Sequence, residues 1–186
     1  MKLIRPQYFR DFQCLAGQCG DTCCAGWEIC IDPESYKKYQ GISGPLGERL
    51  RANILCSEEG CEFALRPGKR CPFLNDQNLC ELILELGEDS LCEICREHPR
   101  FYEEFGDYTL TGLGLCCEAA GRLIFSDPRP VAWDCFPAEG EEPPAALPDD
   151  TAALLSARDI ALALLQNRRV SLRVRLRRLL FYALEW

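Results

Sequence analysis

The stretch that decides the fold is Cys14-Leu15-Ala16-Gly17-Gln18-Cys19-Gly20-Asp21-Thr22-Cys23-Cys24, where four of the 14 cysteines fall close together. Further cysteines follow at Cys71, Cys80, Cys92, Cys95, Cys116 and Cys117. The chain opens Met1-Lys2-Leu3-Ile4-Arg5-Pro6, without the apolar run of a signal peptide, so we expect a cytoplasmic protein. Because the cytosol keeps thiols reduced, the cysteines predict bound metal rather than a disulfide framework.

Composition narrows the class of protein. The 186 residues are 47% hydrophobic and 27% charged, with a formal net charge of -8, which is typical of a globular protein. An acidic chain is a poor ligand for nucleic acid, and no apolar stretch reaches the length of a membrane span. The charged residues are, however, unevenly distributed along the sequence. Between Ile160 and Leu184 there is no acid, and there are six arginines: Arg168, Arg169, Arg173, Arg175, Arg177 and Arg178.

The sequence divides by composition into three parts. Residues 1–136 hold every cysteine and predict a small metal-binding domain. Residues 137–150 contain four prolines and five acids, which indicates an exposed linker. Residues 151–186 have a helical pattern and form a helical segment. We therefore predict a mainly α fold with short β elements, in which a small Cys-rich metal-stabilised domain is followed by C-terminal helices.

Local signals predict the elements of the first part. Asp32 is placed to cap a helix that begins at Pro33, a residue favoured in a first helical turn. Gly87 and Pro99 are placed to end helices. The further predicted helices are Leu46–Leu55, Glu81–Leu86, Asp89–His98 and about Glu118–Phe125, and the predicted strands are Glu62–Leu65 and Tyr108–Leu110. The cysteines then lie where loops meet helices, so that several thiolates can converge on one point.

The spacing of the cysteines does not decide between zinc and an iron–sulfur cluster. Cys92-x2-Cys95 has the form of half a structural zinc site. The run Cys14-x4-Cys19-x3-Cys23-Cys24 is closer to iron–sulfur ligation, where several cysteines approach one cluster along a loop. Neighbouring side chains point in different directions, so Cys23 and Cys24 would rarely serve one zinc ion. Gly26 stands where the third cysteine of a radical-type C-x3-C-x2-C triplet would be, which argues against ordinary radical chemistry.

The flanking residues resemble a known family. The motifs are Phe12-Gln13-Cys14, Cys19-Gly20-Asp21-Thr22-Cys23-Cys24-Ala25-Gly26-Trp27-Glu28-Ile29, Arg70-Cys71-Pro72-Phe73-Leu74, Asn78-Leu79-Cys80, Leu91-Cys92-Glu93-Ile94-Cys95-Arg96 and Cys116-x-Glu118-Ala119-Ala120. Together they resemble the flagellin lysine-N-methylase family, whose broader relatives are cysteine-clustered zinc- or iron-chelating proteins. Cys117 stands where family members have proline and is interpreted as incidental.

The resemblance implies an activity and a ligand set. It implies methyl transfer from S-adenosylmethionine to lysines of flagellin, with an iron–sulfur cluster of the 4Fe–4S type and zinc as the alternative metal. The metal ligands it implies are Cys14, Cys19, Cys23, Cys24, Cys71, Cys80, Cys92, Cys95 and Cys116. Family members are longer, so it also implies that this chain lacks a C-terminal half. The catalytic residues and the donor-binding residues stay unassigned, since no glycine motif for the donor is evident.

Several residues outside the ligand set are predicted to have structural roles. Cys30, Cys56, Cys61 and Cys135 fall outside the motifs and are predicted to be small packing residues. For His98, packing is preferred to ligation, and Trp27 is expected to shield the metal from water. The arginine-rich C-terminal helix is interpreted as an amphipathic cover for the core, and a docking face for an acidic protein is the alternative.

Two functions fit the sequence. The first is a protein-lysine N-methyltransferase or its metal-binding part. The second is a non-catalytic zinc- or iron-binding module that binds a partner through its surface. A third, an extracellular disulfide scaffold, is set aside because the signal segment is missing.

Overall fold

A computed structural model describes residues 2–106, 108–137 and 149–185 of the chain. Helices account for 47% of the structure and strands for 21%, and the described residues contain seven α-helices and two small sheets. The fold is therefore mixed α/β, and the prediction of a mainly α protein is wrong. The strands that the sequence did not reveal are short, and several pair with partners far away in the chain, so local patterns carry little sign of them.

Helices and strands follow each other along the described residues. In order they are β1 (Lys2–Pro6), β2 (Cys30–Ile31), α1 (Pro33–Gln40), α2 (Gly44–Ala52), β3 (Ile54–Ser57), β4 (Gly60–Phe63), α3 (Glu81–Leu86), α4 (Glu93–Glu97), β5 (Arg100–Phe105), β6 (Tyr108–Leu113), α5 (Glu118–Ser126), β7 (Trp133–Pro137), α6 (Asp149–Gln166) and α7 (Leu172–Glu185). Short 3-10 helices occupy Gln7–Asp11, Ala16–Gln18 and Glu88–Ser90. The chain forms two compact units.

The first unit, which we call the cysteine unit, consists of Asp11–Phe101 and Leu113–Ser126. Its sheet has the order β2-β4-β3 and is antiparallel throughout. The core is aromatic: the Phe63 ring meets Phe73 edge-on at 5.2 Å between centroids and stacks on Tyr39 at 6.0 Å. Tyr39 is fully buried, and its hydroxyl donates to the Ser90 carbonyl at 2.8 Å, so its polar end is satisfied.

Several predicted boundaries of this unit are confirmed. Helix α1 begins after Asp32, whose carboxylate accepts the Ser35 N–H at 2.8 Å, and α3 runs from Glu81 to Leu86 with Gly87 at a φ of 85° after it. Helix α2 ends earlier than predicted, because Ile54–Ser57 pairs with β4 in a hairpin. Helix α4 is shorter than predicted, because Glu88–Ser90 forms a separate 3-10 turn.

The second unit, which we call the sheet unit, consists of Met1–Arg10, Tyr102–Gly112 and Asp127–Trp186. Its sheet has the order β5-β6-β1-β7. Strand β1 is parallel to β6, with Ile4 opposite Leu110, and antiparallel to β7, with Ile4 opposite Cys135. Strand β6 extends the predicted Tyr108–Leu110 strand to Leu113.

Helices α6 and α7 belong to the sheet unit and pack against each other. The Arg175 guanidinium donates to the Leu165 carbonyl at 2.7 Å, and the Gln166 side chain donates to the Val131 carbonyl at 3.3 Å. Of the predicted linker 137–150, residues 138–148 lie outside the described residues, so the division into 1–136, 137–150 and 151–186 stays a prediction. None of the helices that are described is long and apolar enough to cross a membrane.

Candidate metal centre

Five of the predicted ligands meet at the core of the cysteine unit. Cys71 and Cys92 are members of the buried cluster, with 5% and 1% of their surface exposed. Cys24, Cys80 and Cys95 are half-buried and pack against the same cluster. They come from four short segments, one at Cys24 and three between Cys71 and Cys95. We call Cys24, Cys71, Cys80, Cys92 and Cys95 the core thiols.

Backbone hydrogen bonds hold these segments together. The Cys71 N–H donates to the Cys24 carbonyl at 2.8 Å, which joins the first cysteine run to the second. The Glu81 N–H donates to the Phe73 carbonyl at 2.8 Å, which fixes the start of α3 beside the Cys71 loop. The Asp32 carboxylate caps α1 and also accepts the Glu93 N–H at 2.8 Å, which fixes the start of α4.

Nearby backbone N–H groups lower the pKa of three of the core thiols and so oppose the effect of burial. They are those of Phe73 for Cys71, of Leu82 and Ile83 for Cys80, and of Cys95 for Cys92. Such donors favour the thiolate over the thiol, and hydrogen bonds to ligating sulfur are a usual second shell of cysteine-bound metals. The chemistry of these donors therefore fits a thiolate-ligated metal.

Protonation differs among the core thiols. Burial raises the pKa of Cys71 to about 11 and also raises the pKa of Cys80. Cys95 donates a hydrogen bond to Cys92, which raises the pKa of Cys95 and lowers that of Cys92. Cys23 and Cys24 form a similar pair, in which the pKa of Cys24 is the lower one. A metal binds thiolates, so its binding here would release protons.

The core thiols do not already form a coordination site. Within residues 2–106, 108–137 and 149–185, no group of three or more histidine, cysteine, aspartate or glutamate side chains is arranged to hold a metal ion. Two pairs of thiols influence each other's protonation, Cys23 with Cys24 and Cys92 with Cys95. Metal binding would have to draw the remaining core thiols toward these pairs.

Of the other predicted ligands, Cys23 pairs with the core thiol Cys24, and Cys14, Cys19 and Cys116 are not among the residues packed against the cluster. Cys14, Cys23 and Cys116 are exposed, and Cys19 is half-buried. Burial raises the pKa of Cys19, and the neighbouring Glu118 carboxylate raises it further. Glu118 accepts the Gly20 N–H at 2.6 Å and so ties the first cysteine run to α5. Cys117, which the sequence predicted to be incidental, is buried, whereas the predicted ligand Cys116 is exposed.

An aromatic pair stands beside the first cysteine run. The Trp27 indole N–H donates to the Cys23 carbonyl at 2.7 Å, and its ring stacks on His98 with 5.7 Å between centroids. The packing role predicted for His98 is confirmed by this stack. Burial lowers the pKa of His98, so the imidazole is neutral near pH 7. Trp27 also packs against the cluster that contains Cys71 and Cys92.

Of the four cysteines outside the motifs, Cys61 packs against the buried cluster as predicted, and the other three are exposed. Cys56 and Cys61 face each other across the β3–β4 hairpin and form a disulfide, with 4.1 Å between their Cα atoms. Cys30 and Cys135 are exposed. A signal for the disulfide was available, because Glu58-Glu59-Gly60 reads as a hairpin turn that brings Cys56 and Cys61 opposite each other.

Comparison with known proteins gives distant relatives. The flagellar biosynthetic protein FliU of Salmonella muenchen is 27% identical over 136 residues, which is 70% of this chain and 80% of FliU. Lysine-N-methylases of Salmonella choleraesuis and Salmonella typhimurium are also 27% identical over 136 residues. The match covers only 34% of each methylase, so the chain spans about a third of their length. No family model and no solved structure matches. The chain is thus a distant homologue of proteins with these two names.

Proposed function

We propose that this chain is the metal-binding part of a protein-lysine N-methyltransferase that acts on flagellin with S-adenosylmethionine as donor. The observation that carries the proposal is the convergence of the five core thiols from four segments on one buried cluster. The names of the distant relatives support lysine methylation and a flagellar role. Neither the donor site nor the catalytic base is assigned to a residue.

The core thiols are the proposed ligands. Cys71, Cys80, Cys92 and Cys95 would hold an iron–sulfur cluster of the 4Fe–4S type, with Cys24 as the adjacent thiol, and zinc is the alternative metal. When bound, such a cluster would supply a charged, redox-active centre inside the apolar core. The N–H donors of Phe73, Leu82 and Ile83 would stabilise the ligating sulfurs.

The reaction sets requirements that the rest of the site must meet. The lysine nitrogen attacks the methyl carbon of the donor, the bond between that carbon and the sulfonium sulfur breaks, and the amine proton passes to a base. Lysine must be neutral to attack, so the site has to remove its proton and exclude water. The stack of Trp27 on His98 is the apolar surface that we propose excludes water next to the cysteines.

A second function is favoured by one observation. FliU, which is named as a flagellar biosynthetic protein rather than as an enzyme, is covered over 80% of its length. A short chain of this kind would use its metal to stabilise a small fold and would bind a flagellar partner through its surface, without catalysis.

A donor-binding and methylation assay separates these functions. The chain, purified without oxygen, is titrated with S-adenosylmethionine, and flagellin is then added and its lysine masses are measured. We expect donor binding and slow methylation, both lost in Cys71→Ser and kept in the matched control Cys30→Ser. Full metal content with neither donor binding nor methylation would contradict the first function and support the second.

A further inference from the structure

Helix α7 leaves a continuous row of leucines in solvent. None of its residues is buried, and the side that packs toward α6 carries the half-buried Arg175, Leu179 and Tyr182. The leucine stripe, as we call the row, consists of residues spaced by four: Leu172 (56% exposed), Leu176 (45%), Leu180 (65%) and Leu184 (84%). The interpretation of this helix as a cover for the core is therefore wrong for this side of it.

Two arginines flank the leucine stripe. Arg173 and Arg177 lie three residues before Leu176 and Leu180, so each is a helical neighbour of one of these leucines. The Arg177 guanidinium also sits over the exposed Phe181 ring at 5.4 Å. Among the residues that the structure describes, Arg173 and Arg177 form no ion pair. Glu185 is the only acid of the helix.

We propose that the leucine stripe binds an amphipathic helix of an acidic partner protein, with its apolar residues on the leucines and its carboxylates on Arg173 and Arg177. Charge complementarity selects this occupant. Four leucines spaced by one helical turn match the apolar face of a second helix, which is a common mode of recognition. The guanidiniums of Arg173 and Arg177, which form no ion pair with any residue that the structure describes, select carboxylates on that helix.

Two other occupants fit this side of the helix less well. A second copy of α7 would place arginine against arginine across the contact, and like charges that meet in an interface are repelled. An anionic bilayer would attract the arginines, but its fluid hydrocarbon has no row of side chains to match leucines spaced by one helical turn. An acidic helix meets both the spacing of the leucines and the charge of the arginines.

The test uses two designed peptides and the whole chain. Both peptides are fluorescent helices with leucine at every fourth position, and they differ only in bearing glutamate or lysine beside each leucine. We expect the glutamate peptide to bind more tightly by on the order of tenfold or more, with a preference that weakens as salt is added. Leu176→Ser/Leu180→Ser should weaken that binding by on the order of tenfold or more, because each buried leucine contributes apolar contact.

Two variants make the test specific. Leu84→Ser, on the cysteine unit, is the control, because Leu84 is 60% exposed, close to the 65% of Leu180. It should bind the glutamate peptide like the unmodified chain. Arg173→Glu/Arg177→Glu should reverse the preference, so that the lysine peptide binds more tightly.

Three results would overturn the proposal. Equal binding of both peptides would show that charge does not select the partner. If the unmodified chain forms a dimer that Leu176→Ser/Leu180→Ser abolishes, the leucine stripe binds a second copy instead. If the chain binds phosphatidylserine vesicles and the same double variant abolishes that binding, the stripe binds a membrane surface instead.

Discussion

At Cys71, two features of a metal ligand meet on one sulfur atom. The residue is buried in the aromatic core, and the nearby Phe73 N–H favours its thiolate. Burial alone keeps the proton on the sulfur, because it raises the pKa of the thiol to about 11. A bound metal would replace that proton and gain a preformed donor to the thiolate.

Replacing Cys71 should therefore cost both metal and stability. We expect Cys71→Ser to lose most of its metal and to lower the midpoint of thermal unfolding by at least ~5 °C, because metal binding contributes to folding. The checks are metal analysis by mass spectrometry and a thermal scan by circular dichroism. Cys30→Ser, which changes an exposed cysteine, should leave both values unchanged. The same metal content in the two variants would contradict the ligand assignment.

Cys56 has a different role from the one its position outside the motifs suggested. Its disulfide with Cys61 closes a short loop, at a sequence separation of 5. We expect Cys56→Ser to lower the free energy of unfolding by about 2 kcal/mol in oxidising buffer, since the cross-link restricts the unfolded chain. Urea unfolding measures this change. In reducing buffer the variant and the unmodified chain should agree, and a difference that persists there would assign the loss to packing instead.

At the scale of the elements, the Asp32 carboxylate caps the start of both α1 and α4. Asp32 accepts the Ser35 N–H at the start of α1 and the Glu93 N–H at the start of α4. Burial raises the pKa of Asp32, but these hydrogen bonds outweigh it and lower the pKa to about 2. The charged form is therefore the one that stabilises the fold.

Removing this carboxylate should weaken both helix starts. We expect Asp32→Ala to lower the free energy of unfolding by about 1–2 kcal/mol at neutral pH. Because the folded pKa is depressed, the difference from the unmodified chain should be complete above about pH 4 and should fade as pH falls toward 2. Urea unfolding at several pH values tests this, with Glu34→Gln as the neighbouring control. A difference that does not change with pH would mean that the charge is not responsible.

The elements also show what sequence could and could not predict. The start of α1 and both ends of α3 were predictable, because Asp32, Pro33 and Gly87 act through local backbone chemistry. Strands β1 and β7 were not, because β1 pairs with residues more than a hundred positions away and no local pattern encodes that partner. The hairpin that ends α2 early depends on pairing between Ile54–Ser57 and β4, which overrides helix propensity.

The candidate site was predictable only in part, because motif spacing is a local property and burial is not. Motif spacing pointed to Cys24, Cys71, Cys80, Cys92 and Cys95, which the fold brings to one core. It could not separate them from Cys14 and Cys116, which have similar flanking motifs but lie exposed. Burial depends on long-range packing, and spacing along the chain does not report it.

On the scale of the whole molecule, the chain spans about a third of the length of the lysine-N-methylases, which the match covers to 34%. We expect it to methylate flagellin slowly on its own, because catalysis requires donor, amine and base to be held in one geometry. Lysine masses after incubation with flagellin and S-adenosylmethionine give the rate. Rapid methylation would mean that these 186 residues hold the complete active site.

The central claim is that the core thiols bind a metal, and its most direct test is elemental analysis of the chain prepared without oxygen. Iron, acid-labile sulfide and zinc are measured against protein, together with the visible spectrum. The claim predicts a brown protein with iron and sulfide in equal amounts, broad absorption that dithionite bleaches, and loss of both in Cys71→Ser. A colourless protein with stoichiometric zinc would contradict the cluster, and a protein with neither metal would contradict the claim itself.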